Sequence, residues 1–155
     1  MKASLKKILL ILAVIITILT GYFSWLTLRP VEIVAIHHRS SGFSAVLVKN
    51  FPLTDKEKIN WWLKNSKSIE KKYQIPTPDK DGSFYLTFWL FGEGYKAEGK
   101  YDRLCFKDMQ SPINCIEKNR VFSVETGQRG NIFFTVKDAV YRMGKNGEII
   151  KIKNE

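Results

Sequence analysis

Cysteine and histidine are scarce in this chain, with two of each among 155 residues. The histidines, His37 and His38, are adjacent. On a strand they point to opposite faces and cannot share a metal. Two cysteines add too few ligands for a structural zinc site. No cysteine precedes Cys105, which excludes lipid attachment at a cleaved signal. No serine or cysteine nucleophile motif frames either histidine, and no poised carboxylate pair is evident. Both histidines therefore read as surface residues of a hairpin. Asp79-Lys80-Asp81-Gly82 resembles the start of a calcium loop. In register, however, the first ligand position would be Thr77 and the closing glutamate position Phe88, so the stretch is a turn. Gly92-Glu93-Gly94 lacks the strand-to-helix context of a phosphate loop and reads as a hairpin corner. The expectation is a protein that is not an enzyme, with no cofactor, no metal and no evident small-molecule substrate.

Charge is missing altogether from Ile8 to Leu28, ILLILAVIITILTGYFSWLTL. At about 1.5 Å of rise per residue this run is roughly 31 Å long as a helix, the thickness of a bilayer's hydrocarbon core. A cleaved signal would end in small residues, whereas this run continues into Gly21-Tyr22-Phe23-Ser24-Trp25-Leu26. Tyr22, Phe23 and Trp25 suit an interfacial aromatic belt. The run predicts a retained signal anchor. Lys2, Lys6 and Lys7 flank one side and Arg29 the other. That asymmetry keeps residues 1–7 in the cytoplasm, sets residues 8–28 across the membrane and exports residues 29–155.

The net charge of +10 shrinks once the flanks are set aside. Val31 to Glu155 carries 21 basic and 15 acidic residues. Most of the basic ones are lysines scattered over turns and a helix, which describes a solvated surface and not a nucleic-acid groove. No nucleic-acid partner is expected. Cys105 and Cys115, with nine residues between them, are an even pair in an exported domain. A disulfide between them is expected to contribute roughly 2–3 kcal/mol through loop closure; the alternative is two buried thiols.

Pro30 stops the apolar helix, and strand-forming residues 31–37 follow without a linker. Arg39-Ser40-Ser41-Gly42 turns the chain into a partner strand, Phe43 to Lys49. Thr54 and Glu57 form a capping box that opens a helix from about Asp55 to Lys72. Ile59, Trp62, Leu63, Ser66, Ile69 and Tyr73 fall in one apolar arc of about 120°, with Lys56, Lys64, Lys67 and Lys71 opposite. Phe84 to Phe91 is apolar on both faces, as in a central strand covered on both sides. Short β runs follow at Val121–Glu125, Ile132–Val136 and Val140–Met143. The last strand, Glu148–Lys153, mixes isoleucines with lysines as an edge strand does. The fold class is α+β: an antiparallel sheet with one main helix behind the N-terminal transmembrane helix.

The segments LRPVEIVAIH, VLVKNFPLTDKEKINWWLKN, YQIPTPD, FWLFGEGYKAEGKYDRLCFKDM and NCIEKN resemble the enterobacterial membrane proteins grouped as domain of unknown function 943. The resemblance covers nearly the whole chain. It implies a single-span envelope protein, so that the expected membrane is the inner one and the expected place of residues 29–155 the periplasm, and it carries no activity with it.

Two surfaces are candidates for binding a protein partner in the envelope. Trp61 lies off the apolar arc, between Lys58 and Lys64, as an exposed binding or interfacial residue would; the alternative is burial by a sheet or loop that wraps round to it. Tyr85, Trp89 and Phe91 share the strand face that the helix cannot cover, which leaves the cysteine loop, a partner or lipid to cover it. A binding module fits best, in its sharper form an immunity-type inhibitor of a periplasm-acting toxin. An accessory or structural subunit of an envelope complex is the alternative.

Overall fold

The computed structural model describes residues 2–152, the side chains of Lys2, Ala3 and Gln128 excepted. The flanking side chain assigned to Lys2 and the strand end assigned to Lys153 lie outside that description. The chain divides into two compact units, Met1–Pro30 and Val31–Glu155.

The first unit is one helix, α1 (Lys2–Leu28). Its stretch Ser4–Leu28 is long and apolar enough to cross a membrane. Its threonine hydroxyls bond back to the helix: Thr17 donates to the carbonyl of Ala13 at 2.9 Å, and Thr20 to that of Ile16 at 2.9 Å. A polar group in hydrocarbon has no other partner, so this satisfaction within the helix suits a lipid environment. The guanidinium of Arg29 stacks over the Trp25 ring at 3.4 Å, a cation–aromatic pair of the kind found at membrane interfaces.

The second unit is the expected α+β domain. β1 (Glu32–His38) and β2 (Phe43–Lys49) form the hairpin. The capping box then starts α2 (Asp55–Tyr73), with Glu57 N–H donating to Thr54 Oγ1 and Thr54 N–H to Glu57. This helix returns the chain so that β3 (Tyr85–Leu90) runs parallel to β2, from Phe43 opposite Tyr85 to Val48 opposite Leu90. All other neighbours are antiparallel: β6 (Arg120–Thr126), β7 (Ile132–Thr135), β8 (Val140–Met143) and β9 (Ile149–Ile152) follow. The order is β1-β2-β3-β6-β7-β8-β9, so β3 is internal and β9 is an edge. β4 (Arg103–Cys105) and β5 (Cys115–Glu117) form a separate two-stranded sheet.

The main core lies between α2 and one face of the large sheet. Phe88 is its centre, with ring centroids of Phe51, Phe122, Trp61 and Trp62 at 5.4, 5.6, 5.7 and 5.9 Å. Aromatic pairs of this kind add about 0.5–1.5 kcal/mol each beyond the area they bury.

The helix seats itself differently from the expected arc. Leu63 is 42 % exposed, whereas Lys58 is only 8 % exposed. The buried side is turned away from Leu63 and toward Trp61, because Phe51 and Phe88 offer their rings there. Lys58 can join it because its long aliphatic stem packs as an apolar group. Lys56, Lys64, Lys67 and Lys71 are exposed, as expected.

Candidate functional site

The second sheet face is covered by the chain's own cysteine hairpin. Cys105 and Cys115 stand directly opposite each other on β4 and β5 and are joined by a disulfide. Cys115 also pairs by both backbone groups with Lys96, at 2.7 and 2.9 Å. Phe106 and Ile116, both buried, project from this hairpin onto Ala45 and Leu47 of β2. Trp89 and Phe91 are half-buried against the same cluster. The hairpin's outer side carries an ion-pair chain in which Glu117 accepts from Arg103 Nε at 3.0 Å and Lys96 bridges to Glu93 at 2.5 Å. The Arg103 and Lys96 contacts hold the Glu117 and Glu93 carboxyls below their ordinary range. Glu93 in turn raises Lys96.

His37 corrects the surface reading of the histidine pair. It is 5 % exposed, while His38 is exposed. Nδ1 lies 2.9 and 3.0 Å from the two carboxylate oxygens of Asp108, and Nε2 lies 2.8 Å from the Tyr95 hydroxyl. The imidazole stacks on Phe106, with centroids 3.8 Å apart and planes 12° from parallel. The reason is the pleat: His37 pairs with Ala45, on the face that the cysteine hairpin covers. Both ring nitrogens find partners there, which makes burial of a polar ring affordable. Tyr95 has its phenol pushed above the usual range, first by burial and then by the Asp108 charge. The network ties β1 to the cysteine loop.

One hollow opens beside this network and a second next to the same β1–β2 turn, at the sheet end opposite Glu32. One, of about 340 Å³, is lined by His38, Arg39, Ser40, Cys105, Phe106, Lys107 and Asp108. The other, of about 390 Å³, is lined by Ser41, Phe43, Ser83, Phe84, Tyr85, Glu125 and Thr126. The β1–β2 turn separates them and is firmly held. Arg39 N–H donates to Phe43 at 2.9 Å, and Tyr85 N–H to Gly42 at 3.0 Å. Gly42 has φ +75°, and a Cβ there would stand 2.7 Å from the Ser83 carbonyl oxygen, so only glycine fits.

The residues expected at binding surfaces fall in different places. Trp61 is half-buried, edge-on to Phe51 at 5.1 Å, and borders a shallow hollow with Glu57, Asn60, Leu63, Lys64 and Asn65. Lys64 is exposed, but Lys58 is on the buried side. Tyr85 separates from Trp89 and Phe91: it packs against the exposed ring of Phe43 at 5.4 Å and accepts a 3.0 Å hydrogen bond from Arg120. Trp89 instead donates its indole N–H to Thr87. Lys6 and Lys7 lie within the N-terminal part of α1 itself, and Arg29 directly follows its last residue. Among the described residues, no three His, Cys, Asp or Glu side chains gather closely enough to hold a metal ion.

Sequence reasoning missed the His37–Asp108–Tyr95 network. The available signal was the shared register of Ala35, His37, Ala45 and Leu47, which sets a histidine on an apolar face.

Residues 2–153 match the family described as Enterobacterial putative membrane protein (DUF943). No curated protein and no solved structure matches the chain.

Proposed function

This chain belongs to the enterobacterial membrane-protein family DUF943, and we propose that it presents a binding domain on the periplasmic side of the inner membrane. In this reading the apolar helix is a retained anchor with residues 1–7 in the cytoplasm, and the domain works by recognition and not by catalysis. Its sharper form is an immunity-type inhibitor that intercepts a toxin acting in the periplasm. The observation that carries the reading is the His37–Asp108 clamp beneath a disulfide-closed hairpin. Such cross-bracing fixes a surface before any partner arrives, and a preformed surface loses little conformational freedom on binding. The cations beside the β1–β2 turn, Arg39 and Lys107, give that surface a sign that an acidic partner would meet.

Cross-linking in intact cells, followed by affinity capture of the full chain, tests the reading. One secreted toxin as the main adduct is the expected result. A standing membrane complex would favour the accessory-subunit alternative, and the absence of any protein adduct would overturn the binding-module reading.

A further inference from the structure

We propose that the two hollows flanking the β1–β2 turn form one docking site for an acidic segment of a protein partner, seating an apolar side chain in one and a carboxylate in the other. This rests on the binding-module reading and gives it a place. The first hollow presents Arg39 and Lys107, whose charged groups have no ion-pair or hydrogen-bond partner among the described residues. The one acid there, Asp108, is committed to His37. The second hollow presents Phe43, which is 45 % exposed, against Tyr85. The two are adjacent by construction, since Ser40 lines one and Ser41 the other.

Three physical points favour this site over the rest of the surface. Arginine beside half-exposed aromatic rings is the composition at which binding energy concentrates in protein interfaces. The turn is fixed by its own backbone bonds and by the fit of Gly42, so little order need be gained on binding. The site also sets two cations, Arg39 and Lys107, next to a hollow floored by the exposed Phe43, a pairing that matches a protein segment carrying both a carboxylate and an apolar side chain. Glu125 borders the apolar hollow, which sets the carboxylate of the ligand toward Arg39 and Lys107.

The test uses the full chain in zwitterionic nanodiscs and phage-displayed random peptides as the probe. Recovered peptides should be acidic with an apolar residue close by. Their binding should weaken about tenfold or more in the Arg39→Glu, Lys107→Glu double variant and also in Phe43→Ser, and it should weaken as salt rises. Both variants alter exposed side chains, and unchanged thermal unfolding confirms that each folds. Peptides indifferent to these substitutions would overturn this site and leave the binding-module reading standing. Equal competition by anionic lipid vesicles would overturn the assignment to a protein segment. Recovery of no peptide above empty nanodiscs would count against both proposals.

Discussion

Nδ1 of His37 stands within 3.0 Å of both carboxylate oxygens of Asp108, which joins the first strand of the sheet to a loop 71 residues later. This contact, with the Phe106 stack above it, makes the cysteine hairpin part of the domain and not an appendage. Its removal should be felt in stability. His37→Ala should cost about 3–5 kcal/mol, as for other buried rings. Asp108→Ala should cost about 1–3 kcal/mol by stranding a buried ring nitrogen, and Tyr95→Phe about 0.5–1.5 kcal/mol. The His37 and Asp108 losses should be non-additive when combined, because both remove one interaction. Denaturant unfolding checks all three, and full additivity would contradict the contact.

The disulfide closes the same hairpin. Replacing Cys105 or Cys115 with serine should lower stability by roughly 2–4 kcal/mol if loop closure dominates. Alkylation of the native protein without reductant should label neither residue; full labelling of both would count against pairing in the cell.

The three apolar neighbours of α2 should separate cleanly. Trp62 is 6 % exposed, so Trp62→Ala should cost about 3–5 kcal/mol. Trp61 is half-buried and keeps its edge contacts to Phe51 and Phe88, so Trp61→Ala should cost less, about 2 kcal/mol. Leu63→Lys should change stability by no more than about 0.5 kcal/mol, since Leu63 faces water. Equal losses at Trp61 and Leu63 would contradict the observed seating of the helix.

These positions mark where the sequence was legible and where it was not. The capping box fixed the start of α2, and the two-sided apolar run of β3 fixed its internal place, because both signals are local. The rotation of α2 was not legible: residue type assigns Lys58 to water and Leu63 to the core, while the rings of Phe51 and Phe88 decide otherwise. The parallel pairing of β2 with β3 likewise depends on where α2 returns the chain. His37 reads as a surface residue of the hairpin because its partners, Tyr95 and Asp108, lie 58 and 71 residues away. Of the three covers that the residues left open for the second sheet face, the cysteine loop supplies it, through Phe106 and Ile116.

Stability should fall at both ends of the pH scale. The carboxyl of Glu57 is lowered from 4.5 by the Thr54 hydroxyl and backbone N–H, and that of Asp81 from 3.8 by Ser83. Their contributions are present above those ordinary values and are lost as pH falls through the lowered ones. Tyr141 is raised above 10.0, first by its hydrogen bond to Asp55, and Tyr95 by burial. Their contributions are present below pH 10 and are lost as pH rises through the raised values. Thermal unfolding of the full chain across pH should therefore plateau near neutrality, and Thr54→Ala should flatten part of the acid limb. An acid limb unchanged by Thr54→Ala would contradict the role given to the capping box.

Everything proposed for the domain depends on which side of the membrane it occupies. Alkaline phosphatase, active only where its own disulfides can form, fused after Glu155 reports that directly in intact cells. The account predicts an active fusion on an uncleaved chain. An inactive fusion, with a cytoplasmic reporter working at the same position, would contradict it.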